Sequence, residues 1–487
     1  MMIMNMKRVF RLLVLVLILA AGQVMAQPGY KIDVKIAGLK DTTAFLGFYY
    51  GEQTYLKDTA RVNSEGFFSF DGARPLSQGV YFLVMNKTRL FEFVVSEDQR
   101  FMLETDQADY IKNMKVTGDE DNRLFFENML FNMARHEEAD PLVKVLRDST
   151  ASETARKDAQ EKFKAINEKV LAHQNEVISQ HPETLTARLL ASTKQIEVPE
   201  PPKKADGSVD STFQFHYYRD HYFDYFDLSD DALIRLPKPT YAEKVKDYLD
   251  RLFVQNPDTL MKAIDKLVAQ VKKNQETYKY LVWTCVIHYQ SHPVMGLDEV
   301  YVRLFDKYIA TGEMDFWLDK KVKQNVKEYV DKVRLSLVGN TAPNLIMQDQ
   351  NFQPKALYDI KKKYTVLWIF DPDCGHCREE TPKLVDFYNK NKTKYDLEVY
   401  AVSADTSMQK MRNYIKEMKM NWVTVNGPRT YVGHYSKLYH ADTTPTMYII
   451  DEKRKIIGKK IPVESLDDFL QKYEKYNRKQ PNGNKGT

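Results

Sequence analysis

Two cysteines separated by Gly375-His376, at Cys374 and Cys377, sit where an apolar strand turns into a helix. The run Thr365-Val-Leu-Trp-Ile-Phe370 precedes them, and a helix-like stretch from Arg378 to Lys390 follows. A thiol at the first turn of a helix meets unsatisfied backbone N–H groups and the positive end of the helix dipole. Both stabilise the thiolate, the reactive form of cysteine. A second cysteine one turn on is placed to attack a mixed disulfide made by the first. The strand–turn–helix context therefore implies an α/β domain carrying a thiol pair suited to disulfide exchange with another protein.

The remaining sequence bounds that reading. A chain of 487 residues exceeds one ordinary core, so two or three domains are expected. Residues 1–26 have the pattern of a secretory signal peptide. Lys7, Arg8 and Arg11 form its positive region, Leu12 to Gly22 its apolar stretch, and Val24-Met25-Ala26 its cleavage site. That apolar stretch is too short to span a bilayer comfortably. No cysteine follows the cleavage site, which argues against a bacterial lipid anchor. The expectation is an exported, periplasmic protein. Without the leader the formal charge falls from +4 to +1, which gives no support for nucleic-acid binding. Three cysteines are too few for a disulfide framework, and Cys285, in an apolar run, reads as a buried thiol.

Residues 27–117 read as a sandwich-like antiparallel β domain. Ile32, Val34 and Ile36 alternate with polar neighbours. Strands are expected at Ala44 to Tyr50, Gly66 to Phe70, Val80 to Met85, Leu90 to Val95 and Phe101 to Glu104. Turn signals such as Asn63-Ser-Glu-Gly66 separate them. Residues 118–335 change to a helical period. Leu260, Ile264, Leu267, Val268 and Val271 share one face, after a helix start at Asn256-Pro257. Glu197 to Ser208 is a proline-rich loop. His216 to Phe226 reads as a packed aromatic helix. Its pairs His216/Asp220 and His221/Asp224 are a weak metal signal without a fuller ligand set, so no metal site is expected.

Residues 336–478 alternate strand and helix, and 479–487 form a polar tail expected to be disordered. A second buried strand is expected at Leu397 to Ser403, an amphipathic helix from Met408 to Met420, a hairpin at 446–458 and a closing helix from Val463.

Phe370-Asp-Pro-Asp-Cys-Gly-His-Cys-Arg-Glu-Glu-Thr-Pro382, followed by Thr443-Thr-Pro-Thr446 before a strand, resembles the thioredoxin fold. It is most similar to the exported branch typified by cytochrome-maturation reductases. The preceding β and helical segments resemble modules found ahead of thioredoxin domains in exported Bacteroidetes proteins. The resemblance implies that Cys374 is the nucleophile, Cys377 the resolving thiol, and Cys374–Cys377 a redox-active disulfide. It matches Pro445 to the family's cis-proline, with the Thr444 backbone facing the nucleophile to pair with an extended substrate. Glu380 stands where the exported reductases carry an acid, and takes the proton of Cys377 in this reading. Trp368 replaces the buried aspartate of thioredoxin, and Asp373 replaces its usual tryptophan. Asp373, with Asp371, is expected to raise the pKa of Cys374, whereas protonated His376 is expected to favour the thiolate. The Cys-Gly-His-Cys sequence resembles disulfide isomerases, which implies a potential nearer about −180 mV than roughly −270 mV.

The expected function is thus a protein thiol–disulfide oxidoreductase, a reductase or isomerase. It needs no cofactor, and its partners are thiol or disulfide client proteins and a membrane electron donor. The alternative is a module binding an envelope client or polymer, with redox activity secondary. Metal ligation by Cys374, His376 and Cys377 suffers from poor geometry for one tetrahedral ion. Peroxide chemistry fits a reversible dithiol less well.

Overall fold

A computed structural model describes residues 29–203 and 206–479. The expected leader, and the tail from residue 480 on, lie outside the described residues. Among them, no helix is long and apolar enough to cross a membrane. The chain divides into two compact units. One holds the described residues up to Tyr248 together with Gln270–Tyr278; the other holds Leu249–Ala269 together with Lys279 onward. The helical stretch is therefore shared between the units.

In the first unit, β1 (Tyr30–Ala37), β4 (Phe67–Gly72), β7 (Arg100–Asp106) and β8 (Lys115–Thr117) form one sheet in the order β4-β1-β7-β8. A second sheet has the order β3-β2-β5-β6, from β2 (Thr43–Tyr50), β3 (Gln53–Arg61), β5 (Gly79–Met85) and β6 (Thr88–Val95). All pairings are antiparallel except β1 with β7. One apolar core joins the two sheets, from Ile32, Val34, Phe68, Phe70 and Leu103 to Leu46, Leu83 and Phe93. The alternation read at 32, 34 and 36 is the core face of β1, where all three are fully or almost fully buried. Gly66 closes the β3–β4 turn at φ +79°, and a Cβ there would lie 2.2 Å from the Ile36 carbonyl oxygen.

Helices Glu120–Arg147 and Glu153–Gln180 follow, each capped by a preceding side chain, Asp119 and Ser152. Residues 213–226 differ from the expected packed helix. The helix covers only Phe213–Asp220 and buries no residue, and Phe215 and Tyr218 are exposed. The aromatic rings instead pack on one another: Tyr222 contacts Phe223 at 4.9 Å and Tyr248 at 5.3 Å. Such clustering satisfies aromatic side chains without a continuous buried face. His221 pairs with Asp224 at 2.6 Å, and neither His–acid pair joins a third potential ligand among the described residues.

The second unit holds a seven-stranded sheet. Its strands are β9 (Ile346–Asp349), β10 (Pro354–Ala356), β11 (Tyr364–Phe370), β12 (Leu397–Ser403), β13 (Val423–Thr430), β14 (Thr446–Asp451) and β15 (Ile456–Lys459), in the order β10-β9-β13-β12-β11-β14-β15. β11 is an interior strand, parallel to β12 and antiparallel to β14, and every one of its residues is buried. Val366, Trp368 and Phe370 face a core shared with Leu384 and Leu470. Leu367 and Ile369 face a second core with Tyr400, Tyr439 and Tyr448. A strand covered on both faces delivers its C-terminal end, and the turn after it, to a fixed position.

Candidate active site

That turn is Asp371-Pro-Asp-Cys374. It leads into the helix Gly375–Tyr395, which contains Pro382. Cys374 occupies the cap position in extended conformation (φ −79°, ψ 123°). Its backbone N–H donates to the Asp371 carbonyl at 3.1 Å. Its thiol is partly exposed and lies 3.4 Å from the carbonyl oxygen of Thr444, to which it donates. The Thr444–Pro445 peptide is cis. Cys377, one turn inside the helix, is fully buried, and its sulfur accepts the Asp371 N–H at 3.4 Å. Both cysteines are free thiols.

The surroundings drive the two thiols apart. Partial burial of Cys374 opposes its ionisation. The backbone N–H of Cys377, the Thr444 and Cys377 side chains, and the N–H of His376 outweigh that burial, so its pKa is lowered. Burial pushes Cys377 up to about 12, assisted by its hydrogen bond with Cys374 and opposed by the Asp371 N–H. A partly exposed thiol with a lowered pKa therefore sits next to a buried one with a raised pKa.

The charged neighbours act differently from the sequence-based expectation. Asp373 does not leave Cys374 with a raised pKa. Lys410 bridges the Asp373 carboxylate at 2.6 Å and that of Asp405 at 3.1 Å, while Asp371 Oδ1 accepts the Asp373 N–H at 2.8 Å. The Asp373 charge is thus answered by a cation on another element. The His376 ring is 83% exposed and lies 3.6 Å from Glu379. Of His376 it is the backbone N–H, and not the imidazole, that contributes to lowering the Cys374 pKa.

Glu380 lies on the wall of a cavity of about 310 Å³, with Trp368, Pro445, Thr446 and Ile461. Its carboxylate pairs with Lys383, and no hydrogen bond joins it to either sulfur among the described residues. The structure thus gathers Cys374, Cys377, Thr444 and Pro445 at one point, with Glu380 on the wall of a cavity that Pro445 also lines. Trp368 fills the position beneath the helix, and its indole N–H finds no partner among the described residues.

Two contributors escaped sequence reasoning. Tyr414 and Lys410 lie on the helix Met408–Glu417, which Ser407 caps. The helix was expected to be amphipathic, and Met408, Met411 and Tyr414 form its buried face, but nothing in the sequence showed that the Tyr414 hydroxyl bonds to the Cys377 carbonyl. Lys410 sits on the opposite, polar face and carried no signal.

A helix-start dithiol with one thiol partly exposed and one buried, beside Pro445 and directly after an interior strand of a mixed sheet, defines a thioredoxin-like domain. Residues 338–459 match the AhpC/TSA family. Residues 30–125 and 151–333 match two domains of unknown function, DUF4369 and DUF5106. The thiol–disulfide oxidoreductase ResA of Bacillus subtilis (strain 168) is 26% identical over 119 residues, 24% of this chain. The chain spans 64% of that relative's length. A solved domain of a possible thiol–disulfide isomerase from Cytophaga hutchinsonii is 37% identical, covering 29% of this chain and 97% of that one, with a TM-score of 0.28. The thioredoxin domain of a thiol–disulfide oxidoreductase from Bacteroides vulgatus is 27% identical, covering 28% and 96%, with a TM-score of 0.26.

Proposed function

We propose that this protein is a periplasmic thiol–disulfide oxidoreductase that reduces or isomerises disulfides in client proteins through Cys374 and Cys377. The observation that carries this reading is the placement of the two sulfurs: Cys374 is partly exposed at the helix start against the Thr444 carbonyl, and Cys377 is buried one turn on. The Cys374 thiolate attacks one sulfur of a client disulfide. The client S–S bond breaks, the second client sulfur leaves as a thiolate and takes a proton, and a mixed disulfide forms. Cys377 then gives up its proton and attacks the Cys374 sulfur. This releases the first client sulfur as a thiol and leaves Cys374–Cys377 oxidised. Two electrons pass to the client, and a dithiol donor in the membrane restores the pair.

The Thr444 carbonyl, held beside Cys374, gives an extended client backbone an acceptor next to the reacting sulfur. Glu380 is the group we assign to receive the Cys377 proton, since that thiol does not ionise unaided at neutral pH. His376 and Asp373 adjust the potential of the pair. The division at 27–117, 118–335 and 336–478, with an exported leader at 1–26, is part of this proposal.

The test is covalent trapping. Cys377→Ser should accumulate mixed disulfides with clients, and Cys374→Ser should accumulate none. Equal trapping by both variants would refute the proposal.

A second reading, binding of an envelope client or polymer, has one observation in its favour. Phe48, Tyr50, Tyr55 and Tyr81 line an open cleft of about 400 Å³ in the first unit. A Cys374→Ser/Cys377→Ser full-length chain that still retains a specific envelope partner would support it, and loss of all retention would remove it.

A further inference from the structure

Away from the dithiol, three side chains present the donor set of a metal centre. Asp250 lies near the end of the helix Thr240–Arg251. His288 is in the last turn of the helix Gln275–Gln290, and His292 follows two residues past its end. All three belong to the second compact unit. One ligand atom from each lies within 4.8 Å of the others. His288 Nε2 is 2.8 Å from Asp250 Oδ1, and His292 Nε2 is 3.5 Å from that same oxygen.

His288 closes its helix and His292 stands in the segment just past it, and the two rings meet edge to face with centroids 4.9 Å apart. Bonds of about 2.0–2.2 Å to a tetrahedral ion set its ligand atoms roughly 3.2–3.6 Å apart. Of the three pairs, His292–Asp250 already has that separation, His288–Asp250 reaches it by a small outward movement of His288, and the two imidazoles lie within 4.8 Å of each other. The cluster is sheltered but reachable. The His292 ring is 6% exposed, and it lines a cavity of about 460 Å³ with Met295, Asp298 and His440. That cavity supplies an entry path and room for water on an open coordination position.

We propose that Asp250, His288 and His292 bind one divalent transition ion of the zinc class, with water completing the sphere from the cavity side. In the metal-free protein His292 Nδ1 accepts the Val294 N–H at 3.2 Å, which puts the ring proton on Nε2, facing Asp250. Ion binding at Nε2 moves that proton to Nδ1, and the Val294 N–H, at an exposed position, turns to solvent. The competing arrangement is a metal-free triad in which Asp250 accepts from both rings.

The experiment uses the full-length chain with Cys374→Ser/Cys377→Ser, so that no dithiol competes for the ion. Zinc is titrated against a chromophoric chelator, and thermal melting is followed with and without zinc. The expected result is one equivalent bound, with the melting temperature rising as zinc is added. His288→Gln and His292→Gln should each weaken binding by more than about tenfold while melting normally without metal. If either variant folds poorly, Asp250→Asn takes its place. His216→Gln/His221→Gln should leave binding unchanged. Failure to compete with the chelator, or equal affinity in the His288→Gln/His292→Gln double variant, overturns the proposal in favour of the hydrogen-bonded triad.

Discussion

The Tyr414 hydroxyl donates to the Cys377 carbonyl at 2.8 Å, tying the first turn of the active-site helix to a neighbouring helix. Since its proton is used there, the Thr381 hydroxyl donates to the phenol oxygen at 2.9 Å. The Phe370 ring stacks on the phenol, with centroids 4.7 Å apart. Strand end, dithiol turn and second helix are thus fastened through one buried side chain. Tyr414→Phe should keep the stacking and lose both hydrogen bonds, at a cost of about 1–3 kcal/mol. Urea unfolding followed by tryptophan fluorescence checks this, and an unchanged midpoint would contradict it.

Lys410 holds the Asp373 carboxylate away from acting alone on Cys374. Lys410→Met should raise the Cys374 pKa by exposing the thiol to the unanswered charges of Asp373 and Asp405. Lys410→Arg should restore it, and Asp373→Asn should suppress the effect of Lys410→Met. The rate of iodoacetamide alkylation against pH gives the pKa in each variant. A Lys410→Met curve that superimposes on that of the unmodified protein would show that the bridge plays no electrostatic part.

Much of this organisation was readable from the chain, and the unread parts have identifiable causes. β12 falls at the expected Leu397 to Ser403, because a strand covered on both faces reads as a short, mostly apolar run, here broken only by the half-buried Glu398 before the terminal Ser403. β3 was missed because its residues from Gln53 to Lys57 are exposed and show no alternation. β13 was missed because Asn426-Gly427-Pro428 inside it reads as a turn. At the site, the two cysteines and Thr444-Pro445 carried their own signals. Lys410 and Tyr414 did not, since a salt bridge or a phenol–carbonyl contact across 37 residues leaves no local pattern.

Burial of Cys377 links its ionisation to folding. Its folded pKa, about 12, is raised above the value of an unfolded thiol. Its contribution to stability is therefore complete below the unfolded thiol pKa and is lost as pH rises through the folded value. The reduced protein should lose more stability than Cys377→Ala between about pH 9 and pH 12. Urea midpoints at stepped pH check this. Parallel pH profiles for the two proteins would contradict it.

Leu384 is fully buried on the inner face of the active-site helix, in the core that holds Val366 and Trp368. Leu384→Ala should cost about 2–5 kcal/mol through lost burial and the cavity left behind. Urea unfolding measures it, and a loss below about 1 kcal/mol would mean that the helix collapses onto the strand.

Site-resolved alkylation of the reduced protein tests the division of labour between the sulfurs most directly. A limiting pulse of iodoacetamide near neutral pH, followed by peptide mass spectrometry, should label Cys374 and leave Cys377 unlabelled. Preferential labelling of Cys377, or equal labelling of both, would contradict an accessible nucleophile paired with a buried thiol that keeps its proton.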